Sequence, residues 1–318
     1  MKKLLYIIPL LCMALVSCGG DDDNSSSSGS DSGNQNQNST TKSTYATRLE
    51  VPKVMNGNNY LLLTRLGDGK VDVNYMVEWD CVKRAQRWTC WMWNKANSTK
   101  GWQRSKWEQG ETFRGYGGDG DPFQPDTEIP AEYRTTLSDY SGSGYNRGHV
   151  CASEDRITSK EVNGQTFYLS NMQPMIYNFN GKVWSNMEIK VRNWRDAIVY
   201  GNGKLYIVKG GTIGDVMLNG TSQTGVLSKN PETGRSNAGL RMPVPKFFYM
   251  ALLKETAAGT YSAMAFWAEH KPDNSTNLAP YMITIDELEA RTGIDFFCNL
   301  PDKVENAVES YLDKNEWK

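Results

Sequence analysis

Between Asn180 and Trp194 two periodic patterns are superposed on one stretch of chain. Val183, Met187, Val191 and Trp194 recur at i, i+4, i+8 and i+11, which is the spacing of one apolar seam on an α-helix. Asn180, Trp184, Glu188 and Arg192 follow one another at four-residue steps, so they share a face that drifts slowly around the axis. Asn180, Glu188 and Arg192 can therefore line one wall of a cleft while the apolar seam buries the helix. The plainer reading is a solvated face carrying one Glu188–Arg192 pair. That accounts for the last two residues and gives no reason for the Asn.

Upstream stands Tyr145-Asn146-Arg147-Gly148-His149, followed by Asn171. His149 is one of two histidines in the chain, and the Arg and Gly before it suggest a tight backbone passage beside a guanidinium. A lone His is more often structural than catalytic. Here its company matters, because phosphodiester cleavage needs a base for water, a cation for crowded negative charge and donors for the transition state. A His, an Asn/Glu pair and two Arg supply all three. His270 lies at the end of a strand-like run before a Pro-Asp-Asn turn, with nothing around it that suggests chemistry.

Asn146-Arg147-Gly148-His149, then Asn171-Met172-Gln173-Pro174, Asn180, Trp184, Glu188 and Arg192, resemble the DNA/RNA non-specific endonuclease family. The likeness extends from about Trp79, through Asp139 to Gly144, to the Gly293-Ile294-Asp295-Phe296-Phe297 segment. It implies an α+β fold, a ββα-metal nuclease core with a central, mainly antiparallel sheet flanked by helices. It implies Mg²⁺, with Mn²⁺ as a substitute, bound by Asn180, and His149 as general base. By the same resemblance Glu188 orients metal-bound water, Arg147 and Arg192 hold the phosphate, and Asn171 fixes the loop beside the metal. DNA and RNA are the implied substrates, and the products carry a 5′-phosphate.

Two positions depart from the family pattern. Asn146 stands where Asp is usual, and no Arg shortly precedes Phe123-Gln124-Pro125-Asp126, where this chain has Asp121 and Pro122. Arg114 or Arg134 fills that place if a loop brings it in. The departures motivate an alternative, a surface binding module that kept the scaffold and lost catalysis. The Trp residues between Trp88 and Trp107 motivate another, a glycan-binding protein.

The amino terminus reads as a lipoprotein signal, residues 1–17: Lys2 and Lys3, an apolar run from Leu4 to Val16 too short to span a bilayer, then Ser17 before Cys18. Cys18 is the expected site of lipidation, which places the protein at the outer membrane or cell surface. Residues 18–44 form a linker that opens with Asp21 to Asp23. From Ser25 to Thr44 it is almost wholly Ser, Gly, Asn, Gln and Thr, too polar to offset the entropy of ordering. Residues 45–318 then form the endonuclease domain, with no second low-complexity break. Strands are expected over 75–79, 204–209 and 247–253, and helices over 180–194, 285–291 and 304–312.

The chain has 35 basic and 36 acidic residues. Three Lys and four Asp fall in the first 44 positions, leaving 32 of each sign in the domain. Nucleic-acid contact must therefore be local, and basic residues from Lys83 to Arg114 do cluster among tryptophans. Core packing is the first reading for most of these Trp. Cys81, Cys90, Cys151 and Cys298 remain after Cys12 and Cys18 are set aside. An exported chain suggests the pairs Cys81/Cys90, if residues 84–87 form a hairpin loop, and Cys151/Cys298, with free buried thiols as the alternative.

Overall fold

Period-two apolar runs build one antiparallel sheet, seen in a computed structural model that describes residues 33–70 and 72–317. The signal segment, Cys18 and the first part of the linker lie outside the described residues. The strands used below are β1 (Tyr60–Leu66), β2 (Val73–Asp80), β3 (Ala85–Trp93), β4 (Asn146–His149), β5 (Met172–Met175), β6 (Lys204–Gly211), β7 (Phe247–Glu255), β8 (Tyr261–Glu269) and β9 (Met282–Ile283). Seven of them pair in the order β1-β2-β3-β6-β7-β8-β9, every neighbour antiparallel. β4 and β5 form a separate two-stranded pair. The helices used below are α1 (Ser185–Tyr200), α2 (Ile285–Thr292) and α3 (Asp302–Glu309). This is the expected α+β class.

Alternation along the strands gives the sheet two apolar faces. On β6, Leu205 and Ile207 join the core on one side while Tyr206 and Val208 join it on the other. On β7, Phe248, Met250 and Leu252 alternate with Tyr249, Ala251 and Leu253 in the same way. α1 and the turn before it cover the first face with Val183, Met187, Val191 and Trp194, the expected seam. Ile285 and Leu288 of α2, with Phe296, Phe297 and Leu300, cover the second. Trp79, Trp91 and Trp93 belong to the first core and Trp88 to the second, all fully buried. Rings committed to the core offer no platform for sugar.

Three expectations change. The helix expected from Asn180 opens with a π turn over Asn180–Trp184, in which Lys182 leaves helical geometry at φ −125°, ψ −106°. The regular helix starts at Ser185. Residues 33–44, read as linker, are held against the domain: Asn38 is buried and donates to the carbonyls of Ala46 at 3.1 Å and Pro52 at 3.0 Å. Hydrogen bonds to otherwise orphaned carbonyls replace the apolar burial that composition weighs.

The disulfide pairs do not form, and all four cysteines are free and buried. The β2–β3 turn closes at Asp80 and Ala85, so Cys81 lies in the turn itself while Cys90 faces Met76. The two are about 17 Å apart at 3.4 Å per strand residue, far beyond the roughly 7 Å Cα separation a disulfide tolerates. Cys151 packs in the first core, while the Cys298 thiol donates to the carbonyl of Val51, a residue of the second core, at 3.8 Å.

One ionic cluster joins the sheet to its covering helix. Lys209 has the strand parity of Leu205 and Ile207, so its ammonium is carried into the first core, and it is fully buried. Its Nζ lies 3.1 Å from Glu188 Oε1 on α1 and 3.4 Å from Asp155 Oδ2. Asp155, also buried, accepts from Arg192 Nη1 at 2.9 Å. Two cations and two anions therefore compensate one another where water is excluded. Lys209→Met should leave both carboxylates without their shared ammonium and destabilise the domain by about 3–5 kcal/mol. Urea unfolding checks this, and a loss below about 1 kcal/mol would place the ammonium outside the stability of the joint.

Candidate active site

The β4–β5 pair positions the motif. His149 stands opposite Met172 and Gly148 opposite Gln173. A Cβ on Gly148 would come within 2.4 Å of Cγ and Sδ of Met175, so only glycine lets the strands close here. Asn171 is fully buried and its amide is spent on backbone. Its Oδ1 accepts from the Cys151 N–H at 2.9 Å, and its Nδ2 donates to the carbonyls of Cys151 and Thr166 at 2.8 Å. Asn171 therefore holds the strand two residues past His149 and has no side-chain capacity left for a substrate or metal.

The half-buried His149 ring is enclosed by aromatic neighbours, edge-on to Phe167 at 4.9 Å and tilted against Phe123 at 5.6 Å. Its Nε2 is buried with no hydrogen-bond partner. Burial lowers its pKa well below the ordinary histidine value, and the positive charges of Arg104, Arg147 and Lys209 push it further in the same direction. The imidazole is held neutral among cations. An unprotonated ring with an orphaned nitrogen is suited to accepting a proton.

A cleft of about 500 Å³ opens beside it, lined among others by Arg104, Asp121, Phe123, Asn146, Arg147 and Asn180. The Arg147 guanidinium lies 4.1 Å over the Phe123 ring, so one phenyl ring separates it from His149. Asn180, at the start of the π turn, makes no side-chain hydrogen bond to a described residue, and its amide is available to a ligand in the cleft.

Arg104 is the residue that the sequence did not single out. Asp121 grips it through Nε at 2.9 Å and through Nη2, and it lies 5.5 Å over Phe167. Neither expected substitute reaches the cleft. Arg114 is bound to Tyr168 and Glu161, and Arg134 donates to the Ile129 carbonyl. Asp121, standing where an Arg was expected, is thus the anchor that places another arginine.

Glu188 and Arg192 do not line the cleft; they belong to the buried cluster with Lys209 and Asp155. Burial raises the Glu188 pKa against the opposing pull of Lys209, and the neighbouring Asp155 charge adds to the rise. Asp155 is held low by Lys209 and Arg192 in spite of its burial. Asp155 and Lys209 were also missed. Strand parity was the available signal for Lys209, since odd-numbered positions on β6 face the core under α1. His270 is structural, as expected: it donates through Nδ1 to the Pro245 carbonyl at 2.8 Å and accepts the Ile176 N–H at Nε2 at 2.9 Å.

The chain resembles characterised nucleases along most of its folded length. A mitochondrial-type comparison is human endonuclease G, 28% identical over 58% of this chain and 60% of that protein. A nuclease of Nostoc sp. is 29% identical over 70% of this chain and 75% of that protein. A nuclease of Syncephalastrum racemosum is 32% identical over 56% of this chain and 55% of that one. Among solved structures, a chain of the EndoG/EndoGI complex superposes with a TM-score of 0.60 at 22% identity, covering 78% of this chain and 91% of that chain. The family model for the DNA/RNA non-specific endonuclease matches residues 64–303, and the chain belongs to that family.

Proposed function

We propose that this protein hydrolyses DNA and RNA without sequence preference at the cleft beside His149, using Mg²⁺ held by Asn180, with Mn²⁺ as a substitute. The observation that carries the reading is the neutral, orphaned Nε2 of His149 among arginines. The donor set fits a hard cation, since the Asn180 amide oxygen in the cleft has no hydrogen-bond partner among the described residues. When bound, the metal supplies Lewis-acid stabilisation of phosphate charge.

The chain's own residues do the rest. His149 accepts the proton of the attacking water through Nε2. Arg147 and Arg104 present guanidinium donors to the phosphate, one braced on Phe123 and the other locked by Asp121. Glu188, through its ion pair with Lys209, positions α1. Asn146 leaves the position next to Arg147 uncharged. Contacts of this kind address the backbone of nucleic acid and not base edges, which is the basis of the lack of sequence preference. Incubation with plasmid and with RNA, in Mg²⁺ or in chelator, tests the whole reading, and intact substrate in Mg²⁺ would refute it.

We also propose that residues 1–17 are a signal, that Cys18 is lipidated, and that residues from Cys18 to the domain tether the nuclease to the outer membrane or cell surface. The order of basic start, short apolar run, Cys and acidic triplet supports this. Two acyl signals convert marginal membrane binding into stable anchoring.

Four outcomes are expected. His149→Ala should reduce cleavage by about 10²–10⁴ while leaving nucleic-acid affinity near that of the parent; equal rates would remove the base assignment. Because the folded-state pKa of His149 is depressed, its base form is present at neutral pH and lost only as pH falls through that depressed value. The acid limb of kcat/KM should therefore lie below about pH 6.5, and a limb at or above it would contradict the cationic surround. Asn180→Ala should raise the Mg²⁺ concentration for half-maximal rate, and an unchanged requirement would move the ligand elsewhere. Finally, Cys18→Ser should shift the protein out of the membrane fraction, whereas a parent without lipid by mass spectrometry would dismiss the anchor.

A further inference from the structure

Away from the cleft, α2 and α3 present carboxylates to each other across an open depression of about 590 Å³. Asp286 and Glu289 come from α2 and Glu309 from the last turn of α3, and one oxygen from each lies within 4.8 Å of the others. Asp295, Asp302 and Glu305 line the same depression. Arg291, the basic residue of α2, is committed to Glu287, and the Lys53 charge acts on Asp295 and Glu305, whereas Asp286, Glu289 and Glu309 have no ion pair with a described Lys or Arg.

The unsatisfied atoms point the same way. Glu309 is only 5% exposed, yet its Oε1 has no hydrogen-bond partner. Asn36 also lines the depression, and its Oδ1 is a second buried oxygen without a partner. Its Nδ2 is already spent on Glu305 at 2.9 Å and Asp295 at 3.2 Å. Two orphaned acceptors in an acidic pocket ask for a positive ligand, since a buried unpaired acceptor is costly and like charges make it more so. Burial, then the neighbouring acids, raise Glu309 to about 10, and burial raises Glu289 to about 8.

We propose that Asp286, Glu289 and Glu309 bind a Ca²⁺ ion that ties α2 to α3. The donors are all oxygen, as a hard cation requires. Carboxylates from two helices on an open depression make the adaptable oxygen set that Ca²⁺ accepts, whereas Mg²⁺ demands a near-ideal octahedron and keeps most of its waters. Asn36 brings the chain segment leading into the domain to the same place, so the ion also secures residues 34–38 against it. Asn34 Nδ2, donating to the Cys298 carbonyl at 2.9 Å, already begins that attachment.

Thermal unfolding of the full chain, in chelator or in about 1 mM Ca²⁺ at matched ionic strength, tests the site. Ca²⁺ should raise Tm by about 2–4 °C, and Mg²⁺ at the same concentration by less. The rise should persist in Asn180→Ala, which separates this site from the cleft and from the nuclease reading. It should vanish in the Glu289→Gln/Glu309→Gln double variant, whose Tm in chelator should equal or exceed the parent's because a like-charge contact is gone. Asp286→Asn, at an exposed position, should weaken Ca²⁺ affinity in calorimetric titration without changing Tm in chelator. No rise in the parent, or an equal rise in the double variant, overturns the proposal.

Discussion

A lysine ammonium buried against a sheet face is stable only if anions are brought to it, and Lys209 recruits them from two different elements. Asp155 comes from the turn that follows the His149 strand, and Glu188 from α1. The cost of desolvating one cation thereby becomes a geometric constraint: sheet, motif turn and covering helix are registered to one another by charge as well as by packing. Apolar contacts alone let a helix slide over a sheet at modest expense. A compensated ion cluster in a dry core does not.

That constraint reaches the chemistry of the cleft. The Lys209 charge is one of three that hold His149 neutral, after burial itself. Arg104 and Arg147 are the other two, and each is stacked on a phenyl ring that also touches the imidazole. Phe123 and Phe167 keep the guanidinium groups near enough to repel a proton from His149 while denying them a direct hydrogen bond to it. The imidazole is kept unprotonated by its neighbours' charge, and both arginines line the cleft beside it. The departure at Asn146 removes a carboxylate that would oppose both effects, and the departure at Asp121 is absorbed because Asp121 anchors Arg104.

The same physics with opposite sign operates at the far side of the domain. There the carboxylates of α2 and α3 crowd together without a resident cation among the described residues, and the polar segment leading into the domain lies across them. A segment whose composition argues for disorder is ordered there by side-chain amides bonded to carbonyls and acids. Composition weighs apolar area, and this contact contains almost none.

Whatever depends on local period was legible in the chain. The buried seam of α1, the strands around residues 75–79, 204–209 and 247–253, and the tight passage at Gly148 follow from spacing and residue type, because side-chain direction repeats every 3.6 or 2 residues. The family motif located His149, Arg147 and Asn180 at or beside one cleft. What only the tertiary structure decided was partnership across long separations. Arg104 and not Arg114 or Arg134 lines the cleft, Lys209 joins Glu188 and Asp155, Asn171 is bonded to backbone, and the four cysteines stay unpaired. Charge and hydrogen-bond pairing have no sequence period. They are set by which surfaces the sheet brings together, and a single residue's shift in register or parity reassigns them.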